Sequence, residues 1–394
     1  MTTDVPTTTR LAPPVAAAAP PATDAVRLVG PDVVRAVALI GVAVMNYHGY
    51  LINKGGELSG NFWGRFFHPW EGPLSTRFAA TFVLTAGVGV TLLTRRASAQ
   101  RHDEPAGVST KRWTLTRRGL VLYGFGLIFY ELWSGSILPY YGAMFVIAAL
   151  LFTLATPLLV AIGVAAAVAG AGIHWWVLER NDDGFSTAWL TDPPTSSPRG
   201  LLFNMFVNGT HPLFPWLAFL CAGMILGRLL RRGSATGDPN KPEWWMPAAL
   251  GVGLSLFGMA TLLSDALGGS RADPIAAQLA SRHPFDRGLL YTASALGTAI
   301  TAFTLIYTIA NRFARTPIVQ LLAHAGQMSL TLYVLHALVF NFVVNWRGWI
   351  RPAGLDLALT FAAGFWIVAI IAGSLWHRRF GIGPVEWLYR KLGA

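Results

Sequence analysis

Ten apolar stretches between Val33 and Trp376 are long enough to cross a bilayer, since about 20 apolar residues cover roughly 30 Å of hydrocarbon. They fall at 31–52, 76–94, 118–137, 139–156, 157–177, 211–230, 244–265, 287–311, 317–346 and 355–376. The pattern predicts an all-α polytopic membrane bundle of about ten transmembrane helices, with an eleventh span or a re-entrant piece within 196–210 as the variant. Gly and Ala recur inside the stretches, as in Gly87-Val88-Gly89 and the run 163–172. Such small residues let membrane helices approach closely. Residues 380–392 are too short to cross and carry an apolar and a basic face, which predicts a helix along the inner leaflet.

The polar gaps alternate in charge. Residues 95–118 hold Arg95, Arg96, Arg101, Lys111, Arg112, Arg117 and Arg118 against Asp103 and Glu104 alone. Further cations follow alternate spans: Arg228, Arg231, Arg232 and Lys241, then Arg312 and Arg315, then His377, Arg378, Arg379, Arg390 and Lys391. The opposite gaps carry Glu57, Glu71, Asp182, Asp183, Asp192 and Asp273. Lys and Arg are retained on the cytoplasmic side, so both termini are expected in the cytoplasm. Residues 27–394 then form one transmembrane domain. Residues 1–26, rich in Thr, Ala and Pro, read as a disordered cytoplasmic tail without the order of a signal peptide.

Composition agrees with a lipid setting. The 394-residue chain is 53% hydrophobic and 12% charged, and its mean hydropathy is +0.47. Soluble domains carry about a quarter charged residues. The net charge of +11 sits mostly at span ends, where it points to anionic lipid headgroups and away from nucleic acid. Cys221, the only cysteine, has no disulfide partner within the chain.

An ionisable group at mid-bilayer costs about 3 kcal/mol, so each one is a candidate for function. Asn46 and His48 lie toward the outer end of the first stretch, Glu131 in the outer part of the third, and His336 in the outer part of the ninth. His68 and Glu71 belong to the first outer gap; Asn208 and His211 precede Trp216 in the sixth stretch. Histidine, asparagine and carboxylate gathered at one depth suit a general base and its partner. Each also has a plain reading: His336 shares a helix face with Ser329 and Tyr333 and would bind a neighbouring helix, and His48 would meet interfacial water. No metal-ligand spacing, phosphate loop or nucleophile elbow occurs.

These residues sit within a recognisable series. Asp32-Val-Val-Arg35-Ala36-Val-Ala38-Leu39-Ile-Gly41 followed by Asn46, then Phe82–Gly89, His211–Trp216, Gly326–Tyr333 with His336, and Gly383–Arg390, resemble in order the membrane acyltransferases of the heparan-α-glucosaminide N-acetyltransferase and YeiB-like families. The resemblance implies transfer of an acyl group, acetyl by preference, from cytoplasmic acyl-CoA to a hydroxyl or amine of an outer-side glycan or glycolipid. It makes Asn46 the counterpart of a catalytic Asn. The family His would fall eleven residues later, where this chain has Glu57. The base is therefore sought among His48, His68 and His336, with Glu131 as a further catalytic candidate.

Arg35, Arg117 and Arg118 are expected to hold the CoA phosphates, and Glu71, Asn208, His211, Trp216 and Tyr333 to contact the acceptor. No metal is expected, the lipid bilayer is the expected surrounding, the cell membrane the expected location, and homodimerisation stays open. A transporter or channel for a lipid-linked or small polar solute is the alternative, and a non-catalytic assembly protein the third.

Overall fold

The computed structural model describes residues 28–99, 105–233, 243–268 and 274–394, and their regular structure is entirely helical. The tail expected at 1–26 lies outside the described residues, as do Arg101, Lys241 and Asp273. The first half of the chain forms α1 (Val29–Asn53), α2 (Phe62–Phe66), α3 (Arg77–Ala99), α4 (Pro105–Tyr130), α5 (Leu138–Leu151) and α6 (Thr156–Asp182). Two short helices follow, α7 (Ala188–Thr191) and α8 (Pro198–Phe203), the latter continued by a π turn, Asn204–Asn208. The second half holds α9 (Leu213–Gly233), α10 (Trp245–Gly268), α11 (Pro274–Leu279) and α12 (Leu289–Arg312). It ends with α13 (Pro317–Gln327), α14 (Ser329–Phe340) with a π turn Asn341–Trp346, α15 (Leu355–Phe380) and α16 (Pro384–Leu392).

Each of the ten apolar stretches overlaps a helix, although the third runs past the end of its helix at Tyr130. Among the described residues, eight helices are long and apolar enough to cross a membrane: α1, α3, α6, α9, α10, α12, α14 with its π turn, and α15. The other two stretches fall on α4, which carries Lys111, Arg112, Arg117 and Arg118, and on the 14-residue α5. The segment 196–210 adds no crossing, because α8 and its π turn have six and five residues. Val160, Val164 and Val168 on α6, and Val252, Met259 and Leu262 on α10, are exposed. Apolar surface of that extent is lipid-facing surface.

Close approach depends on particular glycines. A Cβ on Gly223 of α9 would collide with the Leu84 carbonyl of α3, and the Thr91 hydroxyl donates to the Met224 carbonyl across the same contact at 2.9 Å. A Cβ on Gly326 of α13 would strike the Asp32 carbonyl of α1. That contact fixes one end of the bundle: Gln327 donates to the Asp32 carboxylate at 3.1 Å, and Arg35 lies 3.6 Å from the other Asp32 oxygen.

The ninth stretch is broken at Met328 into α13 and α14. The break exposes the first backbone N–H groups of α14. Glu386 of α16, buried, accepts from the Leu330 and Thr331 amides at 2.6 and 3.1 Å and from the Thr331 hydroxyl. The C-terminal helix is thus docked on the helix break, and its expected interfacial role is joined to a capping one. It reaches the same end of the bundle as Asp32.

Glu386→Ala removes that remote cap and is expected to lower unfolding stability by about 1–2 kcal/mol, with Glu386→Gln keeping part of it. Thermal unfolding in detergent reads the difference; equal melting of Glu386→Ala and wild type would contradict the capping role.

Candidate active site

Val42, Met45, Asn46, Gly49, Tyr50 and Asn53 recur at spacings of three and four along α1, so they share one face. That face forms one wall of a cavity of about 350 Å³ at the bundle end opposite Asp32. Pro69, Trp70 and Thr76 of the following loop close one side, and Phe78, Ala79 and Phe82 of α3 line the depth. Tyr130, Ser134 and Ile137 come from the α4–α5 turn, Tyr333 from α14, and Thr210, His211 and Phe285 from the later loops. Asn46 is half-buried, and its amide has no protein hydrogen bond among the described residues.

Hydrogen bonds hold the polar rim in place. The Tyr50 hydroxyl accepts from the Gly135 amide at 2.6 Å, while its ring stacks on Trp133 at 3.9 Å. The Tyr333 hydroxyl accepts from the Ile137 amide at 3.1 Å. The Thr76 hydroxyl pairs with that of Tyr291 at 2.9 Å. Thr76 is left-handed, with φ of 61°.

His211 is positioned from three sides. Its Nδ1 lies 3.1 Å from the Thr210 hydroxyl, and its ring meets Trp216 edge-on at 4.6 Å and Tyr140 at 5.9 Å. Tyr140 accepts from the Thr210 amide at 3.2 Å and donates to Asn204 at 2.8 Å. Arg287 clamps the residues just before: it donates to the Asn208 side-chain oxygen and main-chain carbonyl, both at 3.0 Å, to the Gly209 carbonyl at 2.9 Å and to the Val207 carbonyl. Burial pulls the Arg287 guanidinium down to about 10, which leaves it cationic at neutral pH. Burial first, and the Arg287 charge second, push His211 down to about 3. The imidazole is therefore neutral throughout the physiological range.

The candidates separate clearly. Asn46, His211 and Tyr333 line the cavity, and Trp216 backs the His211 ring. His48 is 1% exposed, sits two residues from Asn46 on another face of α1, and binds the Phe67 carbonyl through Nδ1 at 2.8 Å. It anchors the loop and does not line the cavity. His68 does not line it either; its Nδ1 accepts from the Glu71 amide at 3.0 Å, forming a turn that sets Trp70. His336 is fully buried between Tyr47 and Trp133, with Nδ1 on the Tyr333 carbonyl. It does not line the cavity, and its Nε2 has no partner among the described residues.

Glu131 follows the end of α4 in a turn and is exposed. It faces a neighbouring cavity of about 200 Å³ with Tyr130, Tyr140 and Asn204. Asn208 is engaged by Arg287, and Glu71 lines a separate cavity. At the opposite end, Arg35 donates to the Gly326 carbonyl at 3.4 Å, and Arg118 lies against Gly393. Arg287, Tyr50 and Tyr140 were not anticipated: a loop cation and two span-end tyrosines carry no motif, and their roles emerge only from contacts between distant segments.

Residues 27–264 match the family model described as heparan-alpha-glucosaminide N-acetyltransferase, catalytic, and residues 230–394 match a model described as a protein of unknown function, DUF418. The chain is also 25% identical to the uncharacterized protein YeiB of Escherichia coli (strain K12), over 396 aligned residues covering 92% of this chain and 94% of that protein. Asn46 and His211 both fall inside the catalytic match.

Arg287→Lys keeps the charge and loses the forked geometry that reaches three carbonyls and an amide oxygen. It is expected to cost about 2 kcal/mol of stability. A variant melting with the wild type would show that the 207–209 loop is held by something else.

Proposed function

We propose, because this chain belongs to the heparan-alpha-glucosaminide N-acetyltransferase catalytic family together with YeiB-like proteins, that it transfers an acyl group to an acceptor hydroxyl or amine in the Asn46–His211 cavity. The observation that carries this reading is the convergence itself. A neutral imidazole and an amide without a protein partner, supplied by segments far apart in sequence, line one cavity.

His211 takes the proton from the acceptor as the acceptor's oxygen or nitrogen attacks the thioester carbonyl. With Nδ1 on Thr210, Nε2 is the nitrogen free for this task. The Asn46 amide donates to the oxyanion of the tetrahedral intermediate, a contribution worth about 3 kcal/mol in comparable sites. The C–S bond then breaks, and the imidazolium returns its proton to the leaving thiolate. Tyr333, Trp70 and Phe82 reduce access of water, which would otherwise hydrolyse the thioester.

The depressed His211 value has two consequences. The ring is deprotonated and ready at any physiological pH, and it is a weak base in the empty cavity. An oxyanion forming beside it raises its proton affinity by direct attraction, so basicity appears at the moment of reaction.

Acyl-CoA is the donor, with Arg35, Arg117 and Arg118 as contacts for its phosphates at the opposite end. Arg35 and Asn46 are eleven residues apart on α1, about 16 Å of helix rise, a span suited to an extended pantetheine arm. In this reading, which the alternation of basic gaps supports, the donor end faces the cytoplasm and the cavity the outer side, with a glycan, glycolipid or similar outer-side molecule at the cell membrane as acceptor.

Transfer from labelled acetyl-CoA in proteoliposomes is expected to fall about 100-fold or more in Asn46→Ala and His211→Ala. His48→Ala and His336→Ala, where folded, are expected to keep kcat within a few-fold; full transfer by His211→Ala would overturn its assignment as base. The pH profile gives an independent reading. Protonation of His211 begins only as pH falls toward 3, so kcat/KM is expected to show no acidic limb from this group between pH 5 and 8. A limb centred near 6.5 that disappears in His211→Ala would contradict the neutral ring.

A further inference from the structure

A second cavity, of about 570 Å³, lies at the same end of the bundle as the first. The start of α3, the end of α10, α11 and the turn before α12 bound it. The Thr76–Tyr291 pair marks the division. Thr76 lines the first cavity, while Arg77 lines the second and lies over the Tyr291 ring at 5.5 Å.

Arg77 is 8% exposed. Its side chain makes one long hydrogen bond, from Nε to the Pro73 carbonyl at 3.4 Å, and its Nη1 has no partner among the described residues. It opens α3, where the helix dipole and free amides disfavour a cation and attract an anion. A buried guanidinium at that end, without an ion pair, is costly unless something supplies negative charge.

Arg282 stands on the other wall, held by the Thr261 hydroxyl at 2.8 Å and Asp265 at 3.3 Å. Ser294 adds a buried hydroxyl without a partner among the described residues. Glu71 and Asp286 also line the cavity, and His283 lies at its edge. Neither carboxylate forms an ion pair with Arg77; Asp286 accepts from Gln278 at 3.4 Å. The cavity thus offers Arg77, which has no ion pair among the described residues, Arg282, whose Nη2 already meets Asp265, and two carboxylates that are not ion-paired with Arg77.

Its position says where a ligand comes from. The cavity lies at the ends of three membrane helices, which is headgroup depth. The flanking helix α10 packs on α12 and turns Val252, Leu254, Met259 and Leu262 outward to lipid. We propose that this cavity binds the phosphate-bearing headgroup of an amphiphile. Arg77 and Arg282 take the phosphate oxygens, and Glu71 and Asp286 face the amine- or hydroxyl-bearing remainder. The site requires no acyl transfer and stands apart from the Asn46–His211 cavity.

The test uses the full chain purified in neutral detergent and follows its unfolding temperature during titration. The probes are dihexanoyl phosphatidylethanolamine, dihexanoylglycerol and inorganic phosphate. The phospholipid is expected to stabilise the protein where the diacylglycerol does not. Arg77→Gln and Arg282→Gln are each expected to weaken that response about tenfold. If Arg77→Gln does not fold, Arg282→Gln carries the comparison. Inorganic phosphate acting as well as the phospholipid would support the oxyanion site and make a free anion its source. Equal response to phospholipid and diacylglycerol, or wild-type affinity in Arg282→Gln, would overturn the proposal.

Discussion

Hydrocarbon offers no hydrogen-bond partner, so each interruption of a membrane helix must be closed by other parts of the protein. Two interruptions organise this bundle. At one end, the break between α13 and α14 is closed by Glu386, which ties the last helix of the chain to the end where Asp32 and Arg35 begin the first. At the other, the segment from Asn204 to His211 is closed by Arg287 and Tyr140. That second closure delivers His211 to the face of α1 that carries Asn46. The open backbone groups of both segments are met by side chains, and at the second segment those side chains also hold His211 at the site.

Placement also sets the chemistry. A histidine ringed by Trp216 and Tyr140, with a guanidinium nearby, cannot hold a proton at neutral pH. Asn46 sits on the neighbouring wall with its amide uncommitted. An acyl transferase asks for that pairing of a proton acceptor with a fixed donor, in a space that restricts water. His48 and His336 lie outside this cavity: one meets the Phe67 carbonyl, the other packs between Tyr47 and Trp133.

The helical membrane architecture was legible from hydropathy alone, because period and length survive any detail of packing. Eight of the ten stretches coincide with helices long and apolar enough to cross, and the small residues picked out at Gly87 and Gly163 lie where helices touch. Convergence was partly legible, since Asn46, His211 and Tyr333, each named as a candidate, line one cavity. Direction around each helix was not. His48 and Asn46 differ by two positions, about 200° of rotation, which sends one to the loop and the other to the cavity. Glu131 looked intramembrane because α4 was expected to continue to residue 137, whereas the helix ends at Tyr130 and leaves the carboxylate in an exposed turn. Arg287 had no signature at all, because its role is defined by carbonyls some eighty residues earlier.

The proposed transfer requires a donor thioester to reach the space between Asn46 and His211. A cryo-EM structure of the full chain with a non-hydrolysable acetyl-CoA analogue tests it most directly. Density for the thioester mimic is expected beside Asn46, with the nucleotide near Arg35 and the start of α1. Density for the analogue confined to another cavity, with the Asn46–His211 space unchanged, would contradict it.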